Sequence, residues 1–131
     1  MLTYGSNCFI AEAAVSELAT LGVSVELIDA QSLIPFDTNH DVVESLKKTN
    51  TLVIIDEDVR GGASAFLMQN IIEDQGGYRY LDSLPKTISS KDHRPAFASD
   101  GDYFSKPSLD DMIEEIYSIM NEKDPERYPA L

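Results

Sequence analysis

The chain has 131 residues and a formal net charge of −13, from 23 acidic and 10 basic side chains, with 43% hydrophobic and 25% charged residues. That length suits one domain with a single sizeable core, and the apolar content argues against disorder. The charge disfavours nucleic acid and anionic membrane surfaces as partners and favours docking onto something basic.

Cys8 is the one cysteine, so no intrachain disulfide can form, and a reducing, cytoplasmic setting is expected. No run approaches the roughly 18 apolar residues of a membrane span, and no basic leader precedes an apolar stretch. Leu2-Thr3-Tyr4-Gly5 reads as a strand already under way, which leads us to expect one domain of a longer protein.

Beyond the Gly5-Ser6 turn, Ser6 is placed to cap a helix whose apolar face would be Phe9, Ile10, Ala13, Ala14, Leu18 and Leu21, ended by Gly22. Residues 23–29 alternate and then turn continuously apolar, which predicts a strand. After the Ile34-Pro35-Phe36 connection, Thr38 to Asp41 has capping-box spacing for a second helix with Val42, Val43 and Leu46 inward. Lys47 and Lys48 fall in its last turn, where the helix dipole favours cations.

Leu52-Val53-Ile54-Ile55 is the unbroken run of a parallel strand buried on both faces. Gly61-Gly62 opens a third helix with Phe66, Leu67, Ile71 and Ile72 inward, and Gly76-Gly77 closes it. Lys86 to Ser89 reads as a short fourth strand. Residues 91–107 lack periodicity and read as a long loop. Ser108 to Asp111 is a second capping box, opening a helix striped by Leu109, Met112, Ile113, Ile116, Ile119 and Met120. Residues 123–131 read as a surface tail. Strand and helix alternate four times, so residues 1–131 form one α/β domain built on a mainly parallel sheet of about four strands between helical layers.

Ligands in such folds gather at the carboxyl ends of the strands, here Gly5-Ser6, Asp29 and Asp56-Glu57-Asp58 followed by Arg60-Gly61-Gly62. A helix N-terminus contributes about 0.3–1 kcal/mol toward an anion. Three nearby carboxylates each oppose it by about 1 kcal/mol even at water's dielectric. The glycines therefore read as turn and packing residues, not as a phosphate cradle. A hard cation on the acid run is disfavoured because consecutive strand residues point apart. Cys8 has no cationic neighbour in sequence and reads as a packed small residue. His40 and His93 have no partners at ligand spacing, and no nucleophile–base–orienter set is visible. The residues alone thus predict no catalytic, cofactor or metal site in this domain.

Several blocks recur in fixed order in one family: Leu2-Thr3-Tyr4-Gly5-Ser6, the run from Ile28 to Asp37, Ser45 to Thr49, Val53 to Asp58, and Gly61-Gly62-Ala63. Across residues 2–120 the chain resembles the transketolase C-terminal domain. Within that family it looks most like the beta subunit, or beta half, of a thiamine-diphosphate-dependent 2-oxo acid dehydrogenase first component, with 2-oxoisovalerate preferred over pyruvate as substrate. The resemblance implies a three-layer α/β/α fold whose usual antiparallel first strand is missing here. It also implies a parent enzyme that uses thiamine diphosphate and Mg²⁺, held by other domains, to decarboxylate a branched-chain 2-oxo acid and pass the acyl group to a lipoyl arm.

The implied role of this domain is assembly with the alpha part and a second beta part, and docking of the acyltransferase component's basic subunit-binding domain. By position, Glu73 is similar to an acid the family uses in docking, and Asp74 adjoins it. No catalytic or cofactor residue carries over. The alternative reading is a free-standing flavodoxin-like binding or regulatory module.

Overall fold

A computed structural model describes residues 1–95 and 97–131, without the side chain of Asp100. The elements in chain order are β1 (Leu2–Thr3), α1 (Asn7–Thr20), β2 (Ile28–Asp29), α2 (Asp41–Thr49), β3 (Val53–Val59) and α3 (Ala63–Gln69). A π-helical turn (Asn70–Asp74) and a 3-10 turn (Gly77–Tyr80) follow, then β4 (Lys86–Ser90), α4 (Ser99–Ser105) and α5 (Leu109–Lys123). The sheet has the order β2-β1-β3-β4 and every pairing is parallel, as expected from the alternation of elements.

Side chains of β3 alternate between two cores, as the two-residue period of a strand requires. Val53 and Ile55 face α1 and α5, against Ala14, Leu18, Met112 and Ile116. Leu52 and Ile54 face the other layer, with Leu46 of α2, Leu67 of α3 and Ile71 of the π turn. Three layers result, with the central strand covered on both sides.

The structure corrects several expectations. Helix α1 turns Ala11, Ala14 and Leu18 inward, while Phe9 is 78% exposed and Ile10, Ala13 and Leu21 also face solvent. The two alanines of that face let the helix approach the sheet and α5 closely. Ser6 makes no cap bond to α1; its hydroxyl donates to Glu57 at 3.3 Å instead. Of residues 23–29 only Ile28 and Asp29 pair in the sheet. Helix α2 is not capped by a Thr38–Asp41 box: His40 stands at its N-terminus in the left-handed region, and Asp37 accepts from the amides of Asp41 and Val42 at 2.8 and 3.1 Å.

Further along, β3 runs four residues past Ile55, to Val59. Phe66 is exposed, whereas Leu67 and Ile71 are buried. The span 91–107 contains α4, with Ala96 outside the described residues. The tail is exposed at residues 123–127 and 129–131, with Tyr128 as a buried anchor that packs edge-on against Tyr117 and whose carbonyl accepts from Asn121 Nδ2 at 2.6 Å. The box at Ser108 forms as expected, with Asp111 N donating to Ser108 Oγ at 3.2 Å and Ser108 N to Asp111 Oδ2 at 2.9 Å.

Candidate functional site

The carboxyl ends of β1 and β3 converge on Asp56, which is fully buried. One oxygen accepts from Tyr4 Oη at 2.5 Å and from the Asp58 amide at 3.0 Å; the other accepts from the Ser64 amide at 2.7 Å. Burial alone would raise the pKa of this carboxyl. The hydrogen bonds from Tyr4, Asp58 and Ser64 outweigh it and hold the group below the ordinary carboxylate range. Burial and the same contact push the Tyr4 phenol above its usual value. Asp56 thus ties two strands to the first turn of α3, satisfying one of the amides that a helix start leaves without a partner.

The other two acids of the run diverge. Glu57 accepts from Ser6 and lies 3.9 Å from Lys106 Nζ. Asp58 accepts from the Val59 amide at 2.8 Å and fills the space beside Gly62, where a Cβ would come within 2.7 Å of it. Gly62 is therefore fixed by close packing, as the sequence suggested. Among the described residues, no three His, Cys, Asp or Glu side chains gather as a metal centre would need. The Cys8 thiol is pushed up to about 11 by burial and by its hydrogen bond to Asp29. That is the reverse of an activated nucleophile. His40 sits at the start of α2 and His93 lies in the loop after β4, on the ring of Phe104.

Glu73 and Asp74, the predicted docking acids, both lie exposed on the π turn that follows α3. Gln69 Nε2 donates to Glu73 at 3.5 Å. The turn is held by Gln75 N donating to Asn70 O at 2.9 Å and by the approach of Gly77, where a Cβ would stand 2.7 Å from the Ile71 carbonyl. A π turn inside a helix is uncommon and is found often at functional positions. No sequence signal marked it, beyond the two glycines that close it.

Two features escaped sequence reasoning. Asp56 as a buried tie was readable only as an acid at a strand end eight residues before Ser64, a spacing with many other meanings. The second is a set of exposed apolar side chains beside the sheet's carboxyl ends: Phe9 at the start of α1, Ile34 after β2 (87% exposed) and Phe66 in α3.

Comparison with known proteins bears on this geometry. The family profile described as "Transketolase, C-terminal domain" matches residues 1–106. The pyruvate dehydrogenase E1 component subunit beta of Rickettsia felis is 29% identical over 120 residues, which covers 91% of this chain and 36% of that subunit. The chloroplastic subunit beta-3 of Oryza sativa subsp. japonica is 35% identical over 100 residues, covering 76% of this chain and 25% of that subunit. The chloroplastic subunit beta-2 of Arabidopsis thaliana is 37% identical over 93 residues, covering 70% and 22% respectively. The chain spans about a third or less of the length of these curated relatives.

Proposed function

The chain belongs to the transketolase C-terminal domain family, and from that premise we propose that it is the assembly and docking domain of a thiamine-diphosphate-dependent 2-oxo acid dehydrogenase first component. The observation that carries the proposal is the exposed apolar rim of Phe9, Ile34 and Phe66 at the carboxyl side of the sheet. Large apolar side chains set singly on a surface mean little, but several beside one sheet end suit burial against another subunit. The alpha part and a second beta part of the same enzyme are the proposed occupants.

In this reading, thiamine diphosphate with its Mg²⁺ supplies the decarboxylation chemistry from other parts of the enzyme. The residues of this domain suit that division. The carboxylate of Asp56 is engaged on both oxygens within the domain, and the Cys8 thiol is held protonated. Asp56 positions Tyr4 and the start of α3, and the isolated domain is proposed to be inactive. The substrate is a 2-oxo acid. The sequence blocks favour a branched-chain one and the relatives' names favour pyruvate, so the proposal rests on the class the two share. The acyl group would pass to a lipoyl arm, in a cytoplasmic enzyme.

Docking of a basic subunit-binding domain is assigned to Glu73 and Asp74, with the −13 charge of the chain steering it. The test uses the parent enzyme with its cognate subunit-binding domain. Calorimetry should give an affinity that falls with added salt and falls again in Glu73→Lys. Salt-independent binding, or none, overturns the docking role. Turnover of 2-oxoisovalerate against pyruvate by the same preparation reads the substrate, and turnover of neither removes the dehydrogenase reading.

A further inference from the structure

Strand β4 ends the sheet order, so one of its edges has no strand beside it among the described residues. Lys86 donates its amide to Leu52 O at 3.0 Å and so faces β3. By strand alternation, the amides and carbonyls of Thr87 and Ser89 face the open side. A groove of about 540 Å³ runs along that side, lined by the whole run of residues 84–89 and by residues of α4 and α5.

Its charge is the inverse of the molecule's. Four of the chain's 10 basic residues line it (Arg60, Lys86, Lys91 and Lys106) against two acids, Asp111 and Glu115. The acids hold these cations weakly: Lys86 stands 3.9 Å from Glu115, and Lys106 stands 3.9 Å from Glu57. Among the described residues, Arg60 and Lys91 have no carboxylate within salt-bridge reach. Lys91 rests instead on the Phe104 ring, 3.7 Å from its centroid.

An independent observation marks the same groove. Ser105 lines it and is 2% exposed, and its hydroxyl has no hydrogen-bond partner among the described residues. Its carbonyl accepts from the Lys91 amide at 2.9 Å, which pins this serine at the end of β4. A buried hydroxyl without a partner costs about 1–3 kcal/mol, and an occupant that displaces the groove wall enough to reach it would supply one.

We propose that this groove binds an extended acidic peptide segment of a partner protein, which adds to β4 as a further strand. The backbone groups of Thr87 and Ser89 pair with the segment, the Ser105 hydroxyl gains a partner, and carboxylates of the segment meet Arg60, Lys91 and Lys106. A second copy of this chain is the weaker occupant. Pairing two β4 edges would set the same cations against one another, and lysines on an edge strand resist that kind of self-association.

The test titrates the isotope-labelled chain with an acetylated, amidated Glu-Val-Glu-Val-Glu-Val-Glu peptide, following amide signals by NMR. The expected result is a saturable shift centred on Thr87, Ser89 and Ser105. Binding should weaken by at least about tenfold when Lys91→Glu and Lys106→Glu are combined. Ser105→Ala provides the control against misfolding: thermal stability should be unchanged or raised, while peptide affinity falls. The proposal is overturned if the peptide does not bind or if the proline-substituted Glu-Pro-Glu-Pro-Glu-Pro-Glu binds equally well. It is also overturned if inorganic phosphate alone reproduces the shifts, or if the β4 signals instead report self-association that rises with protein concentration.

Discussion

Helices α1 and α5 pack against one another on the same face of the sheet, yet they distribute their apolar residues in opposite ways. In α5 the periodic stripe is the core: Met112, Ile116 and Ile119 are all buried. In α1 the inward face is Ala11, Ala14 and Leu18, and the larger Phe9 and Ile10 point away. Helix α5 carries acids opposite its stripe, so only one orientation buries it well. Helix α1 is apolar on more than one face, so composition alone does not fix which face turns in. Close packing against the sheet decides in favour of the alanines, and the displaced large side chains become surface that suits a partner.

Substitutions that separate core from rim sharpen this contrast. Met112→Ala in the buried stripe is expected to lower stability by about 2–5 kcal/mol in urea unfolding. A loss below about 1 kcal/mol would mean that α5 is not seated as described. Asp56→Ala, which strands the Tyr4 hydroxyl and the Ser64 amide, should cost about 1–3 kcal/mol by the same measurement. Its pH signature is distinct. The folded-state pKa is depressed, so the contribution is complete above the unfolded value of about 3.9 and disappears as pH falls through the lower folded value. The stability gap between the native chain and Asp56→Asn should therefore be flat from neutral pH down to about 5 and should narrow below about 4. A gap that widens on acidification would contradict the depressed pKa.

Ser108→Ala removes the cap of α5 and should cost about 1 kcal/mol. Phe9→Ser on the rim should change the chain's own stability by no more than about 0.5 kcal/mol. Alkylation of Cys8 by iodoacetamide should be slow near neutral pH and should still be rising above pH 9, because the thiol is pushed up to about 11. A plateau by about pH 10 would show an ordinary thiol, whose pKa is about 8.5, instead.

The sequence made the parallel strands and α5 legible because their signals are redundant. A β-branched run fits only a strand buried on both faces, and a stripe with a capping box sets both the face and the start of α5. What it left out depends on distance in space. Asp37, not Thr38, caps α2 because the backbone brings its carboxylate to the amides of Asp41 and Val42. Helix α4 has a glycine and no periodicity to announce it, and Tyr128 looks like tail until Tyr117 meets it. For the candidate site, resemblance points to Glu73, with Asp74 beside it, but the π turn that presents them leaves no trace in composition. In the apolar rim, Phe9 and Phe66 stand at helical positions whose spacing reads as core, and Ile34 reads as part of a tight connection.

The apolar rim at the sheet's carboxyl side is the proposed assembly surface. Sedimentation velocity of the parent enzyme carrying Phe9→Glu together with Ile34→Glu tests it most directly, alongside urea unfolding of the 131-residue chain with the same pair. We predict that the assembly dissociates into smaller species while the unfolding midpoint of the chain barely moves. An intact assembly at unchanged sedimentation rate would contradict the account.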